Sequence, residues 1–257
     1  MKLALFSDIH SNRQAFDACM DHARGQGAER FALLGDLVGY GADPRYIVQQ
    51  AMALAAAGAC VIGGNHDAMA VCATPPREGA ADSPMLGSLG VAWTRAQLTQ
   101  QEREFLAALP LTAQLSGMLL VHASADAPES WRYVDNAGMA ARCLDAAVRA
   151  TGVSHVFCGH VHCQTLYARG LGRRLKRLAL PAGVAIPVPP RRRWVATVGS
   201  VGQPRDGDAR AMYALLDTDR WQLRFERVPY AFAAAAAAIR ATGALPEMFA
   251  ARLRLGR

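Results

Sequence analysis

The chain has 257 residues, 52% hydrophobic and 19% charged, with a mean hydropathy of +0.07. That supplies enough apolar surface for one large core, excludes a disordered or fibrous chain, and leads us to expect a single domain over residues 1–257. A net charge of +7 admits a polyanionic partner, but no aromatic-and-basic stacking pattern accompanies it, so specific nucleic-acid binding is not expected.

In chain order, Lys2–Phe6, Arg30–Leu34, Cys60–Ile62, Met118–Val121 and His155–Cys158 are short apolar runs of strand length, each followed at once by a polar motif. Between the first three, Gln14–Gly25 and Pro44–Ala57 read as helices, the second stopped by Gly58. Strand, polar loop and helix therefore alternate. This predicts an α/β sheet covered by helices, with its chemistry in the loops beyond the carboxyl ends of the strands. The stretch Ala73–Ser88 is rich in Pro, Gly and Ala and reads as a loop. Leu98–Leu109 reads as a helix capped by Thr99, and Met139–Thr151 as a helix closed by Gly152. From Arg173 to Val201 basic and apolar residues alternate between prolines, a pattern of hairpins and connecting loops. Met212–Leu216 and Trp221–Val228 form a predicted hairpin about Asp217–Arg220, and Ala233–Thr242 a helix ended by Gly243.

No apolar run approaches the roughly 18 residues of a membrane span, and Met1-Lys2 leads directly into the first strand without an export signal. The six cysteines are scattered and form no C-x-x-C pair. Reduced thiols and a cytoplasmic setting, with no membrane association, are the resulting expectation. The positive charge gathers at Arg173, Arg174, Lys176 and Arg177, at Arg191, Arg192 and Arg193, and at Arg252, Arg254 and Arg257, and reads as solvated loop and tail charge.

Seven metal-ligating side chains fall in five clusters: Asp8 and His10, Asp36, Asn65, His122, and His160 and His162. Carboxylate and amide oxygens suit hard ions and imidazole suits borderline ones, so the mixture fits Mn, Fe, Zn or Co. In Asp8-Ile9-His10 and His160-Val161-His162 the i, i+2 spacing puts both side chains on one side of an extended chain. Gly35 and Gly39 flank Asp36 and allow tight turns, and Gly63-Gly64-Asn65-His66-Asp67 sets an amide, an imidazole and a carboxylate in succession on a glycine-loosened loop. Five of the seven histidines lie at predicted strand ends; His22, in a helix, and His155, at a strand start, read as structural. Each cluster alone is compatible with a turn or cap, but their joint placement points to a two-metal hydrolase.

The ordered series Asp8-x-His10, Gly35-Asp36-x-x-Gly39, Gly64-Asn65-His66-Asp67, His122 and Gly159-His160-x-His162 resembles the calcineurin-like metallophosphoesterases. Gly199-Ser-Val-Gly-Gln-Pro-Arg-Asp206 extends the likeness toward the small bacterial phosphodiesterase-like branch, although Thr197-Val198 stands where that branch commonly has Asn-Pro. The resemblance implies a four-layer αββα sandwich of two mixed β-sheets flanked by helices, with two divalent transition-metal ions at one edge. Manganese comes first among them, ahead of Fe, Zn, Co and Ni. One ion would take Asp8, His10, Asp36 and His162, and the other Asp36, Asn65, His122 and His160. His66 would face the leaving-group oxygen, oriented by Asp67.

Such a pair of ions, about 3.5–4 Å apart, would lower the pKa of a bridging water and clamp an in-line displacement on phosphorus. The expected reaction is therefore hydrolysis of a phosphodiester or a nucleotide-like phosphoester by a metal-bridging hydroxide, with His66 as general acid. Phosphoprotein phosphatase and dinucleoside polyphosphate hydrolase activities use the same metal core and stay open. A non-catalytic scaffold is disfavoured because every ligand is kept along with His66 and Asp67. Arg13 and Arg205 are candidates for contact with the substrate phosphate.

Overall fold

A computed structural model describes residues 1–72, 84–169, 174–178 and 181–257. Its first sheet contains β1 (Lys2–Phe6), β2 (Arg30–Leu34), β3 (Cys60–Ile62), β9 (Ile186–Pro187), β11 (Ala211–Asp217) and β12 (Gln222–Val228), in the order β3-β2-β1-β11-β12-β9. The second contains β4 (Thr112–Leu115), β5 (Met118–Val121), β6 (His155–Cys158), β7 (Gln164–Arg169), β8 (Leu175–Leu178) and β10 (Trp194–Val198), in the order β4-β5-β6-β10-β7-β8. Both sheets are mixed. Three neighbours run parallel in each, β1, β2 and β3 in one and β5, β6 and β10 in the other, so six carboxyl ends lead into loops that converge on one site.

The helices are α1 (Arg13–Gly25), α2 (Pro44–Ala56), α3 (Asn65–Val71), α4 (Pro84–Gln97), α5 (Gln100–Ala107), α6 (Ala137–Thr151), α7 (Phe232–Ala241) and α8 (Glu247–Leu255). Alternation along β1 shows how the layers form. Leu3 and Leu5 point into the core between the sheets with Leu120, Phe157, Trp194 and Ala196, whereas Ala4 and Phe6 pack outward on Phe16 and Met20 of α1 and Ile47 of α2. A strand covered on both faces needs no polar side, so it reads as an unbroken apolar run. On the far side, Leu119, Val121 and Val156 pack on Leu144 and Ala147 of α6. Helix, sheet, sheet, helix is therefore the layer order, as the family resemblance implies.

Several predicted elements appear with their punctuation intact. Thr99 caps α5, accepting from the Glu102 backbone N–H while the Glu102 carboxylate accepts from Thr99 N–H, and Gly152 closes α6 in the left-handed region at φ 73°. The loop expected over 73–88 needs correction at its end, because α4 begins at Pro84; residues 73–83 lie outside the described ones. Gly87 and Gly90 obscured that helix in the sequence, and Gly90 is small because the ring of Phe249 from α8 packs over it. The edge strand β4, the strand β7 and helix α8 were not anticipated; β4 alternates exposed and half-buried residues and carries little apolar signal. Arg191, Arg192 and Arg193 are exposed on a turn, and Arg174, Lys176 and Arg177 on or beside β8. Arg173 lies outside the described residues. The six cysteines are free thiols, and no described helix is long and apolar enough to cross a membrane.

Candidate metal centre

Backbone hydrogen bonds tie the loops after β1, β2 and β10 to one another and the loop after β5 to that after β6, and the carboxylates of Asp8 and Asp67 link in the loops after β6 and β3. Asp8 N–H donates to Gly35 O (3.1 Å), His10 N–H to Asp36 O (3.0 Å), Gly159 N–H to His122 O (2.9 Å) and Gly202 N–H to Asp8 O (2.9 Å). Asp8, His10, Asp36, His160 and His162 all take positive φ, between 49° and 65°. That region is costly for residues with a Cβ, and such outliers persist where surrounding contacts over-determine them, commonly at functional sites. The loops also pack too closely for side chains at several glycines, Gly64 and Gly159 among them. A Cβ on Gly64 would collide with Oδ1 of Asp36, and one on Gly159 with Ser7 Oγ and Asp8 Oδ2.

All seven candidate ligands converge. Asp8, His10 and His162 form one cluster with ligand atoms within 4.8 Å of one another, and Asp36, His122 and His160 a second; His10, Asp36 and His66 form a third between them. Asn65 Oδ1 lies 3.1 Å from His122 Nε2. Every one of these groups except Asn65 is at most 8% exposed. His10 Nδ1 faces Val38 O (3.1 Å), His122 Nδ1 faces Leu34 O (2.7 Å) and His162 Nδ1 faces Gln203 O (2.6 Å). A carbonyl only accepts, so each Nδ1 carries the proton and each Nε2 is turned to the cluster. His160 differs, presenting Nδ1 to His122 Nε2 at 3.2 Å.

This arrangement passes a chemical test for cations. In neutral rings His10 Nε2 and His162 Nε2 are both lone pairs, yet they sit 3.1 Å apart. Asp8 Oδ1 is fully buried and has no hydrogen-bond partner, with His162 Nε2 at 3.2 Å but not aligned to donate. Electron pairs converging without a proton between them, and a buried carboxylate oxygen left unpaired, are costly unless a positive ion is shared. The donor set of carboxylate, amide and imidazole suits divalent transition metals.

The electrostatics follow from burial and crowding. Burial lowers His10 well below the ordinary imidazole value, and lowers His66 too, in each case despite the nearby Asp36 carboxylate. Burial and the neighbouring His122 together push His160 down to about 3. His122 goes the other way: burial opposes its charge, but the Asp36 carboxylate 3.3 Å away outweighs that and holds it at about 9. Burial would raise Asp8 and Asp36, yet the imidazoles around them, His162 and His122 foremost, hold both below the usual carboxylate range. At Asp67 the balance reverses, because the backbone bonds from Gly64 and Val38 and the charge of His122 do not offset burial and Asp36. Burial and the Asp36 charge raise it to about 7.

His66 lies in the first turn of α3 and donates its N–H to Asp36 Oδ1 (2.9 Å). Its ring meets His10 at 4.9 Å and Tyr40 at 4.6 Å, and Gly39 leaves room for its Nδ1. Asp67 accepts from Gly64 N–H (2.9 Å) and Val38 N–H (3.1 Å), and these bonds brace the loops that carry His66 and Asp36. Arg205 stands at the site: it raises the cost of protonating His66, donates to Gln203 Oε1 (2.8 Å), and lies 6.0 Å from the Tyr40 ring. Arg13 is engaged elsewhere, with Asp17 at 3.4 Å and over the Tyr46 ring at 4.3 Å. His22 bonds Tyr213 and His155 bonds Arg192 O, as structural histidines should.

Some supporting residues were not read from the sequence. Ser200 Oγ donates to Asp8 O (2.8 Å) and Gln203 O orients His162, which gives the Gly199–Asp206 motif a positioning role. Thr197 and Val198 end β10 in regular pairing with Thr165 and Gln164, so the chain reaches Gly199 without Asn-Pro. Tyr133 stacks on His160, with ring centroids 4.1 Å apart and planes at 18°, and Trp131 meets His122 edge-on at 5.9 Å.

Residues 1–220 match the family model of the calcineurin-like phosphoesterase superfamily domain. A metallophosphoesterase from Sphaerobacter thermophilus has a similar structure, with a TM-score of 0.85, 30% identity and all of both chains covered. An uncharacterized protein of Methanocaldococcus jannaschii is 29% identical over 99% of this chain and 98% of its own length. A hypothetical protein of Pyrococcus horikoshii shares the fold, with a TM-score of 0.74 at 19% identity over 100% of this chain and 98% of that one.

Proposed function

The chain belongs to the calcineurin-like phosphoesterase superfamily, and on that premise we propose that it hydrolyses phosphodiesters or nucleotide-like phosphoesters at a binuclear metal centre. Asp8, His10, Asp36 and His162 would hold one ion, and Asp36, Asn65, His122 and His160 the other, manganese being the first candidate for both. Bound there, two divalent ions would polarise a phosphoryl oxygen and make water a nucleophile near neutral pH. Asp36 is the shared ligand: its Oδ2 lies 3.7 Å from His10 Nε2 and 3.3 Å from His122 Nε2, members of the two sets.

His66 is the proposed general acid. With Nδ1 set against Gly39, Nε2 is left to give a proton to the departing oxygen. Burial disfavours the imidazolium in the free protein, so the negative charge of a bound phosphoester is what would raise it into use. Arg205 would hold a phosphate oxygen beside His66, and Asp67 would fix the loop from which His66 projects. Arg13, paired with Asp17, is a weaker candidate for that contact than Arg205.

The unpaired Asp8 Oδ1 beside the facing His10 and His162 nitrogens carries the proposal. The test strips the protein of metal, reloads it with Mn, Co, Ni, Fe, Zn or Mg, and measures bound metal and turnover on phosphomonoesters, phosphodiesters and dinucleoside polyphosphates. Two bound ions with turnover greatest on diesters or nucleotide esters are expected. Failure to bind any metal, with no turnover, overturns the proposal.

A further inference from the structure

Beside the imidazole half of the centre, the loop from β5 to α6 builds a wall that metal binding does not require. Tyr133 lays one ring face on His160, with planes 18° apart, and is nevertheless 42% exposed to solvent. Trp131, half-buried, sets its ring against His122 from a left-handed backbone at φ 50°. A bulky residue in that region is strained and holds its place only when its surroundings fix it.

The surroundings do so. The Asp126 carboxylate accepts from Arg132 Nη1 (2.6 Å) and from Arg142 Nη2 on α6 (2.8 Å), clamping the loop to the helix. Asp126 N–H donates to Ser124 Oγ (3.2 Å), Pro128–Ser130 forms a single tight turn, and Val134 is buried in the α6 core. Arg132 is thereby occupied by Asp126, which makes this wall aromatic rather than anion-binding. A flat exposed ring favours a flat partner, because stacking gains most from two parallel π faces.

The geometry points to Trp131 and Tyr133 as a stacking platform for a nucleobase, placing nucleotide esters ahead of alkyl phosphoesters as substrates. This rests on the proposed phosphoesterase reading, since the phosphate must sit at the adjacent centre for the base to reach the rings. Tyr133 and Trp131 would select the substrate and take no part in bond breaking.

The experiment measures binding to manganese-loaded protein of two probes with the same phosphate, AMP and ribose 5-phosphate, by calorimetry alongside metal content. Wild type is expected to hold AMP about tenfold or more tighter, the order that one base–aromatic stack contributes. Tyr133→Ala and Trp131→Ala should close that gap while leaving ribose 5-phosphate affinity and metal content unchanged, and Tyr133→Phe should preserve it. Equal binding of the two probes by wild type overturns the inference, as does a Tyr133→Ala protein that weakens on both probes alike, which would mark the ring as mere support for His160. A protein that turns over phosphoesters without distinguishing the probes loses only this inference. One that binds neither metal nor phosphate loses the underlying reading as well.

Discussion

Loops of the first sheet bring Asp8, His10, Asp36, Asn65, His66 and Asp67 to the site, whereas the second sheet contributes the imidazoles of His122, His160 and His162. All the oxygen donors and the proposed acid therefore sit on one half together with the His10 imidazole, and the other half supplies nitrogen donors. Neither half completes either of the proposed four-ligand sets, because His162 would be needed beside Asp8 and His10, and Asn65 and Asp36 beside His122 and His160. Packing of the two sheets through Leu3, Leu5, Phe157 and Trp194 is thus a precondition for the site, which couples metal binding to the fold of the whole sandwich.

The sharpest way to break this division is at Asp36, whose Oδ2 lies 3.7 Å from His10 of one cluster and 3.3 Å from His122 of the other. Asp36→Ala should lower kcat/KM by about 10³-fold or more, equivalent to about 4 kcal/mol of lost transition-state stabilisation. Bound metal should fall from two ions toward one or none. A variant that keeps both ions and most of its activity would show that the halves bind metal independently.

A smaller and more selective effect is expected at His66, which belongs to the oxygen-rich half but not to the proposed ligand set. His66→Ala should slow alkyl phosphodiesters by roughly 10²–10⁴-fold, the span of a general acid, with p-nitrophenyl esters much less affected because their leaving group needs no proton. Metal content should stay at the wild-type level. Equal losses on both esters would remove the acid role, and loss of an ion would make His66 a ligand, as its place in the cluster with His10 and Asp36 permits.

What the sequence disclosed differs between the halves for a physical reason. Lys2–Phe6 and His155–Cys158 are buried on both faces and read as plain apolar runs, so the motifs that follow them stand out. Seven converging side chains were legible because Asp, Asn and His are rare together at strand ends. The groups that orient them were not, since Leu34, Val38 and Gln203 act through backbone carbonyls that any residue offers. Trp131 and Tyr133 gave no periodic signal from within a loop, and their approach to His122 and His160 depends on long-range packing. Tyr40 and α8 were hidden likewise, joined only through contacts such as Tyr40 with Phe249 at 4.9 Å.

The smallest effect separates the halves by their protons. His122 and His160 touch through ring nitrogens 3.2 Å apart, and Asp36 settles which keeps the charge: His122 is held at about 9 and His160 falls to about 3. At pH 7.5 the metal-free protein therefore carries a proton on His122, while an ion can bind only its lone pair. Loading metal should release close to one proton from this half, measurable by calorimetry in buffers of different ionisation enthalpy. Because the folded value lies above that of an unfolded histidine, the proton's contribution to stability is fully present below about pH 6.5 and is lost as pH rises through about 9. Affinity for the ion that takes His122 should move oppositely, rising about tenfold per pH unit until it levels near the same value. In the Asp36→Ala background His122 loses the carboxylate that sustains its charge, so both the proton release and the pH slope near neutrality should shrink. A release unchanged in that variant would place the displaced proton on another group.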